Sequence, residues 1–209
     1  MRTLDPAQLD RNGAYYLLNS VIVPRPIAWV STLASDGVAN LAPHSYTTVA
    51  GVNPPTLLFT SVGRKHTVTN IADTREFVVH VVNRQLADQM NVTAADAPDH
   101  VSEFDVAGLE QVPSDVVAPP RVAAASVAME CRLDRIVEVG IETCYVIFGE
   151  VVRFHVAERL FDERDRVDPG KLDAIARMAG AAYSTTTDRF DMTRPTYADL
   201  LQQQEGTTR

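Results

Sequence analysis

Cysteine and tryptophan are both scarce in this 209-residue chain, which has two Cys and one Trp. Cys131 and Cys144 flank an expected hairpin turn at Val139-Gly140-Ile141-Glu142. That turn sets Cys131 opposite a residue near Glu150, so no disulfide is expected, and two free thiols suit a reducing compartment. No uninterrupted apolar run approaches the roughly 18 residues of a membrane span. The opening Met1-Arg2-Thr3-Leu4-Asp5-Pro6 is polar rather than signal-like, so a cytoplasmic protein is expected. Positive charge is also short: 19 Lys and Arg against 27 Asp and Glu leave a formal net charge of −8. Nucleic acids and anionic membranes require a basic surface, so neither is expected as a partner. Any anion this protein binds must meet a local concentration of positive charge.

Several motifs are missing. The sequence contains no G-x-G-x-x-G or G-x-x-x-x-G-K-[ST], which argues against a dinucleotide fold or a P-loop. The histidines show no H-x-E or H-E-x-x-H spacing and the cysteines no C-x-x-C, so no metal site is expected. The absence of G-x-S-x-G removes the usual sign of acyl transfer.

What is present reads as short strands separated by turn signals. Hydrophobic residues at 45 % and charged residues at 22 % describe an ordinary globular chain of one domain's length. Strands are expected over Ile27 to Leu33, Val38 to Gly51, Thr56 to Val62, Phe77 to Val82, Val127 to Leu133 and Tyr145 to Val156. The first turn is Ala34-Ser35-Asp36-Gly37, and a break falls at Asn53-Pro54-Pro55. Along 127–133 the strict alternation predicts one buried face. Short helices are expected from Thr67, as N-cap, to Thr74, from Gln85 to Ala95, and from Lys171 to Met178. Pro98 to Val122 reads as an irregular wrap around the core. Residues 188–209 read as a polar tail with a helix over 197–203, which leaves 1–187 as the folded domain. Hairpin-linked strands with few helices point to a mostly β, antiparallel barrel.

Four places carry candidate chemistry. Gly63-Arg64-Lys65-His66-Thr67 sets Arg64, Lys65 and the Thr67 hydroxyl at the mouth of an expected helix, where unpaired N–H groups favour a phosphate. The same residues also describe a solvated basic loop. Asn40 to Val49 is extended yet rich in hydroxyls. Pro43 marks a departure from regular pairing there, and the freed backbone together with Ser45 or Thr47 could grip a planar heterocycle. An edge strand with hydroxyls in water is the alternative. Trp29 and Ser31 share a strand face and suit either a core anchor or a cofactor wall. His155, on one face with Arg153 and Val151 near Gly149, is a candidate proton donor or an ordinary structural histidine.

In order along the chain, Pro24-Arg25-Pro26-Ile27-Ala28-Trp29-Val30-Ser31-Thr32, Asp36-Gly37, Asn40-Leu41-Ala42-Pro43-His44-Ser45, Asn53-Pro54-Pro55, Lys65-His66-Thr67 with Asn70-Ile71, and Glu76-Phe77-Val78-Val79 form a recognisable set. Asp105 to Leu109, Glu130 to Leu133, Gly149 to Val152, and Arg177 to Gly180 with Tyr183 extend it. Together these resemble the flavin reductase-like family of the flavin mononucleotide-binding split barrel, including flavoredoxin-type proteins. The resemblance implies an antiparallel split-barrel homodimer with FMN in a groove near the subunit interface. It implies that Asn40 to Thr48, including Pro43, His44, Ser45, Tyr46 and Thr47, lines the flavin ring. Arg64, Lys65 and Thr67 would hold the phosphate, and Trp29 and Ser31 would border the groove. His66 stands where the family often has an acid. The activity implied is hydride transfer from NADH or NADPH to flavin, with a partner oxygenase or other acceptor downstream and His155 as the outside candidate for a catalytic side chain. Rival roles are an electron carrier reduced by a protein donor, and a barrel without flavin serving as a structural or haem-binding dimer.

Overall fold

The computed structural model describes residues 1–141 and 143–199. Chain order gives α1 (Arg11–Val21), β1 (Arg25–Pro26), β2 (Ala28–Leu33), β3 (Ala39–His44), β4 (Thr47–Val52), β5 (Pro55–Val62), α2 (His66–Thr74) and β6 (Glu76–Val81). There follow α3 (Ala87–Val92), α4 (Glu103–Val106), β7 (Gln111–Val112), β8 (Arg121–Val122), β9 (Val127–Val139), β10 (Cys144–Val156), α5 (Pro169–Leu172), β11 (Ile175–Arg177) and β12 (Tyr183–Thr185).

Seven strands form one antiparallel sheet in the order β3-β2-β6-β9-β10-β5-β4. Its two edges, β3 and β4, are consecutive in the chain, so the sheet has to curl until its ends approach. The amide of Thr60 extends the β4–β5 ladder to the Tyr46 carbonyl at 2.8 Å, and across the seam the His44 and Phe59 rings lie 4.8 Å apart. The result is the expected mostly β, split barrel. Its interior holds Val30, Phe59, Val68, Ile71, Phe77, Val79, Cys131 and Ile147. Gly149 is required there, because a Cβ at that position would lie 2.2 Å from Phe77 Cζ. Outside the wall a second cluster packs Trp29, Leu41, Leu86, Met90 and Phe104 between β2, β3 and the short helices.

Several expectations need correction. Residues 171–178 are not one helix: Asp168 caps a single turn, Asp173 ends it in the left-handed region at φ 48°, and Ile175–Arg177 pairs with β1 and β12 instead. The helix over 85–95 is split, with a 3-10 turn at Arg84–Leu86 before α3. Lys65 rather than Thr67 occupies the N-cap of α2, and Thr67 lies buried inside the first turn. Strand β9 is longer than expected, and its outer face is covered at Ala128 and Glu130 by residues 115–117. Helix α1 was not among the expected elements; Asp10 caps it, and its apolar residues Tyr16, Leu18 and Val21 remain exposed. Cys131 faces Val151, as the turn required, and both thiols are free. Most of the helix expected over 197–203 lies outside the described residues.

Candidate functional site

A cleft of about 740 Å³ opens where β3 leaves the seam. This is within the roughly 300–1,000 Å³ usual for small-molecule sites. Backbone alternation explains how β3 serves it. The Leu41 amide donates to Glu103 Oε2 at 2.9 Å and the Ala39 carbonyl accepts from Ser102 Oγ at 2.6 Å, so odd-numbered groups point away from β2. Pro43 falls in that outward series, and its missing N–H costs the ladder nothing. Beyond it, the backbone around Ser45 lies on the cleft wall.

Behind this edge sits a small buried polar cluster. Asn40 Nδ2 donates to Thr67 Oγ1 at 3.3 Å, His44 Nε2 lies 3.4 Å from the same hydroxyl, and Asn70 Nδ2 donates to Thr32 Oγ1 at 3.0 Å. Burial, helped by the Lys65 charge and opposed by the Thr60 backbone, pulls the His44 imidazole down to about 4. His44 is therefore neutral at physiological pH and brings no charge to the cleft.

One end of the cleft is cationic. Arg64, Lys65 and His66 stand at the start of α2, and the Lys65 cap supplies no side-chain bond to the first-turn amides. Lys65 Nζ lies 2.7 Å from Asp96 Oδ1 and His66 Nε2 lies 2.9 Å from Asp99 Oδ1, so residues 96–99 lean over this end. The Lys65 ammonium holds the Asp96 carboxyl below its ordinary range. Elsewhere the cleft is lined by Tyr15, Tyr16, Asn19, Arg25, Tyr46, Arg177 and Tyr183. There Tyr46 Oη accepts from Asn19 Nδ2 at 2.9 Å and lies 3.0 Å from its Oδ1.

Of the residues singled out from sequence, Asn40, Pro43, His44, Ser45, Tyr46, Arg64, Lys65 and Thr67 line this one cleft. Four do not. Thr47 turns its hydroxyl to the Leu58 carbonyl at 2.7 Å. Trp29 is fully buried in the outer cluster, its Nε1 donating to Thr93 Oγ1 at 2.9 Å, and Ser31 donates to the Pro120 carbonyl at 2.6 Å. His155 is displaced by a register shift between Val151 and Arg153. Val151 enters the core, whereas His155 meets Glu130 on the outer wall at 2.6 Å. Sequence reading missed the Arg25 and Arg177 part of the wall. Its one local signal was an arginine held between two prolines, Pro24 and Pro26.

The comparisons with known proteins agree with this architecture. A family model described as "Flavin reductase like domain" matches residues 20–172. An uncharacterised protein of Halalkalibacterium halodurans, BH2278, is 36 % identical over 203 residues, covering 92 % of this chain and 96 % of that one. Among solved structures, nitrilotriacetate monooxygenase component B from Bacillus cereus superposes with a TM-score of 0.88 at 35 % identity, covering 92 % of this chain and 98 % of that one. The 2-nitrobenzoate 2-nitroreductase NbaA of Pseudomonas fluorescens gives a TM-score of 0.84 at 32 % identity, covering 94 % and 98 %.

Proposed function

The chain belongs to the flavin reductase-like domain family, and from that premise we propose that it binds FMN and takes hydride from NADH or NADPH onto that flavin. The observation that carries this reading is the cleft's division of labour. A helix mouth with Arg64 and Lys65 suits a phosphate, while the outward backbone of β3 and the neutral His44 suit the uncharged edge of a ring. The residues present fit the group in size and in charge.

Arg64, Lys65 and the first amides of α2 hold the phosphate, and the Thr67 hydroxyl is oriented by Asn40 and His44. The β3 edge from Pro43 to Tyr46 borders the ring. When bound, the flavin supplies hydride acceptance and onward electron transfer. The protein's residues bind, orient and keep one face open, and no side chain is required to move a proton during hydride delivery. His155 has no place in this scheme, since it serves the outer wall. Residues 1–187 act as one flavin-binding unit, and the exposed apolar residues of α1 and β4 form the contact of a homodimer. The donor and acceptor are small molecules or a partner oxygenase.

Purified protein should be yellow, and anaerobic NADH or NADPH should bleach its visible absorbance. An unchanged spectrum with both, followed by bleaching with a reduced electron-transfer protein, would assign the carrier role instead. A colourless protein that ignores added flavin would leave only the structural barrel. The double variant Arg64→Ala with Lys65→Ala should weaken FMN binding by about tenfold or more, because a charge-assisted hydrogen bond is worth about 1.5–3 kcal/mol. Fluorescence titration measures this, with circular dichroism confirming the fold.

A further inference from the structure

Arg25 and Arg177, on the wall of the same cleft, take no part in the flavin reading. Arg25 is only 7 % exposed. Its Nη1 donates to the carbonyls of Asn19 at 2.7 Å and Ile22 at 3.0 Å, and its Nη2 to that of Met178 at 2.9 Å. All three acceptors are neutral. Its Nε finds no partner, and among the described residues no carboxylate pairs with it. A buried cation without a counter-ion is strongly unfavourable in the protein interior.

Aromatic surface surrounds this charge. The Arg25 guanidinium lies 5.9 Å from the Tyr46 ring centroid. The Arg177 guanidinium stands 4.6 Å from the Tyr183 centroid and donates to the Gly180 carbonyl at 2.6 Å. Tyr15 and Tyr16, with rings edge-on at 5.5 Å, are 51 % and 61 % exposed beside them. Four of the chain's six tyrosines thus line one cleft. The acids on the cleft wall, Asp96 and Glu103, are occupied with Lys65 and with the Leu41 amide.

Resting on the reading of the cleft as a flavin site, we infer that this basic, tyrosine-rich part of the wall is the subsite of a second substrate: a planar aromatic ring bearing an anionic group, either a carboxylate or a phosphate ester. The rings supply stacking surface, the two guanidinium charges attract the anion, and among the described residues neither guanidinium is paired with a carboxylate. A neutral ring of equal size forfeits the charge term.

The test titrates the purified protein with benzoate, phenyl phosphate and benzamide, read by calorimetry and, separately, by flavin absorbance. At least one anion should bind, with benzamide weaker by about tenfold, the scale of one charge-assisted hydrogen bond. Whichever anion binds more tightly identifies the source, carboxylate or phosphate. Arg177→Gln should lose about the same factor without changing flavin content, and Tyr183→Leu should weaken all three probes. Arg177 is chosen because replacing the buried Arg25 risks the fold. Equal affinity for benzoate, phenyl phosphate and benzamide overturns the inference, as does an Arg177→Gln variant that binds like the natural chain. Calorimetry does not depend on colour. A colourless protein that still distinguishes anion from amide therefore keeps the subsite and loses only the flavin reading.

Discussion

At the scale of single residues, two buried histidines set how this protein responds to acid. His44 and His80 are each pulled down to about 4 from 6.5, both chiefly by burial. His80 also has both nitrogens committed: Nδ1 lies 2.9 Å from the Trp29 carbonyl, and Nε2 accepts the Val122 amide at 3.0 Å, which it can do only when unprotonated. Between these values the unfolded chain binds protons that the folded chain refuses, so stability must fall as pH drops from 6.5 towards about 4. Each site contributes on the order of a few kcal/mol to that loss. Urea denaturation across this range should show it, and a flat profile would contradict the assignment. Neither protonation state was legible in the sequence. His80 interrupts the apolar run from Phe77 to Val82, but its partners come from 51 and 42 residues away.

Among elements, the outer wall shows how a polar strand residue becomes a clasp. Glu130 is fully buried, which pushes its carboxyl up. The amides of Asp115 and Val116, each at 2.7 Å, and His155 pull it further the other way, and the net position is below its ordinary value. On the neighbouring strand Glu76 Oε2 accepts the Ala118 amide at 2.8 Å. Two adjacent strands thus hold one irregular segment through carboxylates. Glu130→Leu leaves two amides and a histidine without their acceptor and should cost about 3 kcal/mol or more. Hydrogen exchange at Asp115 and Val116 should accelerate, and unchanged protection would refute the clasp. Alternation in 127–133 revealed the strand and its inward Cys131, but made Glu130 look solvent-facing. The error has a physical source, because strand periodicity reports two faces and not what covers the second. The expected common face of Val151, Arg153 and His155 fails for a related reason, since an irregularity in pairing is invisible in a one-dimensional pattern. The Asn40 to Tyr46 and Arg64 to Thr67 segments were easier to find, because their hydroxyls, proline and cations are local signals.

For the whole molecule, the unpartnered apolar surface is the property that matters most. Leu18, Val21 and Ile22 of the α1 region, with Val49 and Val52 of β4 at 72 % and 87 % exposure, are the apolar residues that the proposed homodimer would cover. Sedimentation velocity should report a dimer, and Leu18→Glu with Val52→Glu should shift it to monomer. A natural chain that sediments as a monomer would remove the dimer from the proposal. The barrel itself was readable in outline because hairpin turns fix strand neighbours. The seam was not, since it depends on a curl that brings the first and last strands of the sheet together. One consequence of the Lys65–Asp96 and His66–Asp99 pairs concerns binding itself. A ligand phosphate arriving here evicts a carboxylate from each cation it takes, so association is a swap of anions rather than the neutralisation of bare charge. Added salt should therefore weaken FMN binding only gently in the natural chain and more steeply once Asp96 and Asp99 become asparagine. With the phosphate placed as proposed, the two aspartates would act as a buffer, trading affinity for constancy when the ionic surroundings change.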